Sequence, residues 1–340
     1  MIDSLEDRWQ RKINYLRLSL TDRCNYRCAY CMPEEGFEKS QQESLLTFEE
    51  IYRLLKLLSQ DYGVRKVRFT GGEPLVRAQI LKLLSMVKTI KEIQVLALTT
   101  NGHLLENLAE PLYANGIRRL NVSIDTFDSK RFEEITRGGD LAVVLKGIEK
   151  AQKIGFDDIQ INAVVLPKIN ENEWDILCME SWDRHLTPRF IELMPIGDLP
   201  FQATPISNQK VLQSLQNHFD LKPFSSSNPS IPSNPNIILG PAQYFQVQSG
   251  KYKGRKLGLI NPLSDDGFCA SCNRVRLTAQ GGLRACLADD REVDLKLALR
   301  NQWPDHLLKA LIEEGIFGKK PKHLMNEHMP PLSIMTKIGG

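Results

Sequence analysis

The chain has almost no net charge, no long apolar run and few histidines. Lysine and arginine outnumber aspartate and glutamate by only three over 340 residues. So small an excess gives no reason to expect wholesale binding to nucleic acid or to an anionic membrane, and any cation that matters acts locally. No stretch of about 18 consecutive apolar residues occurs, so no membrane-spanning helix is expected. The first residues, MIDSLEDRWQRK, lack an apolar signal region, and the chain is expected to be cytoplasmic. There is no G-x-x-x-x-G-K-[ST] stretch, which excludes a P-loop. No internal repeat appears beyond an alternation of strand and helix patterns. What remains is ordinary for a globular protein, with 42% apolar and 25% charged residues.

The first two thirds alternate. Strand patterns lie at 15–20, 66–70, 95–100, 119–124, 159–165 and 189–194. Segments with apolar residues at helical spacing separate them. In 47–60, Thr47 and Glu50 read as a capping box, and 141–155 ends on a C-cap glycine. Six β/α units in a row predict a parallel sheet, either a partial barrel or a doubly wound sheet, with ligands beyond the carboxyl ends of the strands. Residues 223–236, PFSSSNPSIPSNPN, read as a linker or surface loop. The expected division is therefore 1–222, a linker at 223–236, and a smaller α+β module over 237–340.

Seven cysteines are present, an odd count. In a reducing compartment, clustered cysteines are read as metal ligands before disulfides. Cys24, Cys28 and Cys31 are spaced C-x₃-C-x₂-C just after the first strand, and Cys269, Cys272 and Cys286 are spaced C-x₂-C-x₁₃-C. Cys178 stands alone in an expected helix and reads as core. Two zinc sites would each need a fourth ligand, yet none of the six histidines sits at ligand spacing. Electron-transfer clusters would want four cysteines each. The economical reading is two 4Fe–4S clusters, each held by three thiolates and each leaving one iron open to a substrate or cosubstrate.

The C-x₃-C-x-aromatic-C pattern after the first strand, with TGGEP at 70–74, resembles the radical S-adenosylmethionine (SAM) superfamily. The likeness extends through LRLSLTDRCNYRCAYCMP (16–33), VRFTGGEPL (67–75), LTTNG (98–102), RLNVSID (119–125), RFIELMPIG (189–197), FCASCNRVRLT (268–278) and a Gly-Gly terminus. Together these resemble the GTP 3′,8-cyclase family, the molybdenum cofactor biosynthesis protein A family. The resemblance implies a partial (βα)₆ barrel whose open side is covered by the C-terminal module. It implies a first cluster whose open iron is chelated by SAM, and a second whose open iron holds the guanine of GTP. A 5′-deoxyadenosyl radical would take hydrogen from ribose C3′, which then attacks guanine C8. The product would pass to an accessory cyclic pyranopterin monophosphate synthase, in the first step of molybdenum cofactor biosynthesis. A reductant protein such as a flavodoxin or ferredoxin is expected, and a homodimer is an open expectation.

Arginines interrupt the apolar strands independently of any resemblance. Arg17 and Arg68 do so, Arg189 opens RFIEL, and Arg274 and Arg276 alternate on one face of NRVRLT. Inward charges are costly without partners, and a triphosphate would supply them. By resemblance, Arg17, Arg68, Thr99, Arg274 and Arg276 would contact GTP, with Arg189 beside them. Tyr30, Gly72, Ser123 and Met194 would contact SAM, and Gly339 and Gly340 would reach into the active site. One position departs from the family. Gln160 stands where a strand-five lysine is typical, so either Lys66 or Lys168 compensates or GTP binds more weakly. A radical SAM peptide modifier with an auxiliary cluster is the competing enzyme reading, although it needs no run of inward arginines.

Overall fold

The computed structural model describes residues 4–36, 40–156, 158–196, 204–224, 240–323, 325 and 335–338. Six parallel strands form its centre: β1 (Tyr15–Ser19), β2 (Lys66–Thr70), β3 (Val95–Thr100), β4 (Ile117–Ser123), β5 (Asp158–Val165) and β6 (Thr187–Glu192). They lie side by side in chain order. Helices connect them: α1 (Phe48–Gln60), α2 (Ile80–Val87), α3 (Leu105–Ala114), α4 (Ser129–Thr136), α5 (Leu141–Ile154) and α6 (Trp174–Asp183). When strands add in one direction, right-handed crossovers put every helix on the same face. A doubly wound sheet reverses its order at a switch point. No reversal occurs within β1–β6, so the sheet is of the partial-barrel kind, with one face left as an interior.

Local chemistry places these elements. Thr47 and Glu50 close a reciprocal capping box at the start of α1. α5 ends at Gly155, whose φ of +98° is cheap only for glycine. The main core packs leucines and isoleucines of α1–α5 against the outer positions of β1–β5. A second core forms around β5, β6 and α6, where Cys178 is fully buried with Trp174, Leu177 and Trp182.

The C-terminal strands do not make a separate sheet. After α7 (Asn208–Gln216), β7 (Leu221–Phe224), β8 (Gln243–Val247) and β9 (Lys256–Ile260) extend the β6 edge. β10 (Arg274–Leu277), β11 (Gly282–Arg284) and β12 (Val293–Asp294) extend the β1 edge, giving one sheet of twelve strands. Both junctions are parallel: β9 on β6 and β10 on β1. β7 spans positions 222 and 223, where the sequence suggested a boundary, and most of the expected 223–236 linker lies outside the described residues. α8 (Lys296–Arg300), α9 (Asp305–Phe317) and α10 (Met335–Ile338) complete the chain.

Candidate active site

A cavity of about 1060 Å³ occupies the interior face of the sheet. Side chains of a strand alternate in direction, so every second residue points into it. Tyr15 and Arg17 enter from β1, Lys66 and Arg68 from β2, and Arg274 and Arg276 from β10. The register aligns several of them. Arg276 lies across from Arg17, Arg17 from Arg68, Arg68 from Ala97, Ala97 from Arg119, and Arg119 from Asp158. One cross-strand row thus carries four arginines and ends on a carboxylate. Adjacent strands are about 4.8 Å apart, so these cations repel one another. Burial and the neighbouring Arg17 and Arg274 push the Arg276 guanidinium well below its ordinary range. Burial, outweighing the help of Tyr15, and then Arg68, bring Arg17 down to about 10. For Tyr15 the balance reverses. Burial raises its phenol, but Arg68, Arg17 and Lys66 bring it down to about 7, and its oxygen accepts from Arg68 Nε at 2.8 Å.

The first cysteine triad lies on the loop leaving the carboxyl end of β1. Cys24 Sγ accepts from the Tyr26 amide at 3.4 Å and from Asn101 Nδ2 at 3.9 Å. Burial pushes Cys24 up to about 11 and Cys31 up to about 12, and raises Cys28 well above its ordinary value. The turn after β2 packs directly on this loop. A Cβ on Gly72 would stand 2.3 Å from the Arg23 carbonyl oxygen, and one on Gly71 would stand 2.4 Å from that of Thr21. Only glycine fits at either position. Next in the chain, the Glu73 carboxylate accepts from the Leu75 amide at 3.0 Å, Thr100 Oγ1 at 2.8 Å and the Asn101 amide at 2.7 Å. Burial still pushes its carboxyl up to about 7. The Tyr30 hydroxyl donates to Asp125 at 2.8 Å.

The second triad sits across the cavity, on the loop between β9 and β10 and just after β11. Arg11 Nη1 donates to the Cys269 carbonyl at 2.8 Å. Lys319 Nζ lies 3.5 Å from Cys272 Sγ. Burial raises the Cys272 thiol, but Arg274 and Lys319 outweigh it and bring the group down to about 6. All seven thiols are free, and six of them line the cavity. Among the described residues, no three His, Cys, Asp or Glu side chains converge on a position for one metal ion. The two sulfur-only triads, held apart on opposite loops, fit clusters.

Both triads and Tyr30, Gly72, Ser123, Met194, Arg17, Arg68, Thr99, Gln160, Arg189, Arg274 and Arg276 all reach this cavity. Gly339 and Gly340 lie outside the described residues, but Met335 and Thr336 of α10 line the cavity. Gln160 donates to Asp158 Oδ2 at 2.7 Å. Lys66 lines the cavity, with its ammonium 4.6 Å from the Tyr15 ring centroid. Lys168 is exposed and does not line it.

Sequence reasoning missed Tyr15, Arg119, Asp158, Lys256 and Lys319. Strand alternation could have found Tyr15, Arg119 and Asp158, which share the inward parity of Arg17, Asn121 and Gln160. Lys256 needed the pairing of β9 with β6. Gln160 lies across from Thr187, and because Arg189 lies across from Gly258, Thr187 faces Lys256 on the next strand. Lys256 lines the cavity, its ammonium 3.7 Å from the Phe224 ring centroid. Lys319 lies in a loop with no periodicity to read.

Comparison with known proteins gives these observations a family. Residues 18–178 match the radical SAM superfamily and residues 186–325 match the Molybdenum Cofactor Synthesis C family. The chain is 41% identical over 321 residues to a GTP 3′,8-cyclase of Syntrophomonas wolfei, covering 94% of each protein. It is 40% identical to a GTP 3′,8-cyclase of Pelotomaculum thermopropionicum, covering 99% of this chain and 100% of that protein. Among solved structures, Streptococcus suis SuiB bound to precursor peptide SuiA superposes with a TM-score of 0.60 at 14% identity, covering 93% of this chain and 76% of that one. That likeness concerns the fold alone. Membership of the radical SAM superfamily implies a 4Fe–4S cluster and SAM, and near-full-length identity narrows the assignment: the chain belongs to the GTP 3′,8-cyclase family of the radical SAM superfamily.

Proposed function

We propose that this protein converts GTP to (8S)-3′,8-cyclo-7,8-dihydroguanosine 5′-triphosphate, using two 4Fe–4S clusters with three cysteine ligands each. One observation supports this above the rest. Two sulfur-only triads and a row of inward arginines share one cavity. Cys24, Cys28 and Cys31 would hold the first cluster and Cys269, Cys272 and Cys286 the second. When bound, the first cluster and SAM supply a 5′-deoxyadenosyl radical that takes hydrogen from ribose C3′, so that C3′ can bond to guanine C8.

The protein binds and orients. Gly72 lets the turn after β2 approach the first triad's loop, and Tyr30, Ser123 and Met194, which line the cavity, would contact SAM. Arg17, Arg68, Arg274 and Arg276 offer guanidinium forks to the triphosphate and base, with Thr99 and Arg189 beside them. Gln160, tied to Asp158, is a polar contact without charge. We place the Gly339–Gly340 tail in the same cavity, a reading supported by the cavity-lining position of Met335 and Thr336. The division into a barrel over 1–222 and a cluster-bearing module over 237–340 belongs to this reading. So do a flavodoxin- or ferredoxin-like reductant, the accessory cyclic pyranopterin monophosphate synthase, homodimerisation and a cytoplasmic location. Among the described residues no helix is long and apolar enough to cross a membrane.

The test is anaerobic reconstitution with iron counting and GTP-dependent SAM cleavage. About eight irons per chain are expected, since each cubane carries four. Cys28→Ser should abolish 5′-deoxyadenosine formation. Cys272→Ser should leave reductive SAM cleavage but uncouple it from GTP. Four irons in the wild type, or zinc, would overturn the two-cluster reading.

A further inference from the structure

The two triads differ in the charged groups packed beside them. Around the first, burial raises all three thiols, and the buried carboxyls of Asp125, beside Cys28 and Cys31, and Glu73, beside Cys24, add to it. Around the second stands a buried ammonium. Lys319 is 3% exposed. Its Nζ has three partners: Cys272 Sγ at 3.5 Å, the Arg274 carbonyl at 2.5 Å and the Ala285 carbonyl at 2.7 Å. An ammonium has three N–H bonds, and each finds one acceptor. None of these acceptors is a carboxylate, so the charge is not cancelled by a bonded acid. Arg11 differs. It also braces this region, donating to the carbonyls of Cys269 and Pro321, but its Nε pairs with Asp7 at 2.5 Å.

Lys319 therefore joins the two segments that deliver Cys272 and Cys286. It bonds one ligand sulfur directly. It holds the start of β10, two residues after Cys272, and the residue immediately before Cys286. Resting on the proposal that the second triad carries a cluster, we infer that Lys319 is a positioning residue that raises the second cluster's reduction potential and holds its ligand loops together. The physical cause is charge. Adding an electron makes a cluster more negative, and a cation about one van der Waals contact from a ligand sulfur favours that reduced state. A hydrogen bond to the same sulfur acts in the same direction.

The test is an anaerobic redox titration of the reconstituted full-length protein, followed by electron paramagnetic resonance. The second cluster's signal is assigned as the component lost in Cys272→Ser. Lys319→Gln keeps a donor but removes the charge, so its second-cluster midpoint should move to more negative potential with wild-type iron content. Lys319→Met should show the same shift and also lose iron faster to a chelator. Lys319→Arg should stay near the wild-type midpoint. Wild-type midpoints in both the Gln and Met variants would overturn the inference. Equal shifts in all three variants would also overturn it, because packing and not charge would then be in control. If the Met variant fails to fold, the Gln and Arg pair still decides. Absence of any second component in the wild type would instead refute the two-cluster reading itself.

Discussion

Arg276 offers the sharpest test of the arginine row, because removing it should act on stability and on binding in opposite directions. It is buried, lies directly across from Arg17, and shares its strand with Arg274. Two unit charges about 5 Å apart repel by roughly 3 kcal/mol at an effective dielectric of about 20. Arg276→Met keeps most of the side-chain volume and relieves that repulsion, offset in part by the contacts the guanidinium makes. In the ligand-free protein, stability by urea denaturation should therefore be unchanged or higher. Losing a charge-assisted contact costs about 1.5–3 kcal/mol of binding, roughly a ten- to hundredfold weaker GTP dissociation constant. SAM affinity should not change. Calorimetric titration of the anaerobic, reconstituted protein with each ligand reads both. A variant that unfolds more easily and binds GTP as tightly as wild type would show that Arg276 is a structural residue and that the row is not a polyanion site.

The charge missing at Gln160 should be supplied by Lys256, which lies two strands further along the same row, beyond Thr187. Lys256→Gln should weaken GTP binding by about tenfold, the lower end of a charge-assisted contact, and Gln160→Lys in that background should restore it. Failure of the second change to restore binding would separate the two positions. Glu73 gives a pH test. Burial holds its carboxyl at about 7 against an ordinary 4.5, so between these values the folded protein keeps a proton that the unfolded chain has released. The stability this group contributes is full below about 4.5 and is lost as pH rises to about 7, on the order of 3 kcal/mol. Glu73→Gln should remove that fall. Denaturation at pH 5 and 7.5 compares the slopes, and equal slopes in wild type and variant would mean the three donors around Glu73 outweigh its burial.

Much of this architecture is written locally in the chain. The capping box of α1, the glycine end of α5 and the buried Cys178 depend on neighbours in sequence, and the strand runs depend on alternation. The pairing partners are not local. Nothing in RVRL says that β10 docks in parallel on β1, or in KLGLI that β9 docks on β6, because a short run of β-branched and apolar residues fits many edges. The consequence is specific. Arg17 and Arg68 were readable as inward residues on adjacent strands, but their continuation into Arg276 comes only from the β1–β10 register. Lys319 was illegible for a related reason. Its role rests on contacts spanning 34 to 47 residues in sequence, made by a loop residue.

That distribution has a physical logic. A row of buried arginines opposes folding, so it persists only where a scaffold with ample apolar burial overrides it. The outer face of β1–β5 supplies this burial through continuous contact with α1–α5. The inner face is thereby free to carry charges that repel one another, and under the proposed function a bound triphosphate would relieve that repulsion. The same division explains why the strand edges are closed by the C-terminal strands. β10 adds Arg274 and Arg276 to the β1 side and places Cys272 and Cys286 near them, while β9 adds Lys256 to the β6 side. An anion bound among these groups neutralises repulsion on both edges at once. Ligand binding should then stabilise the docking of β9 and β10 onto β6 and β1 more than it stabilises α1–α5. Hydrogen exchange with and without GTP would show this as protection gained in 256–260 and 274–277. Protection gained uniformly across the chain would mean that the anion stabilises the fold as a whole and that the edge strands have no special coupling to the site.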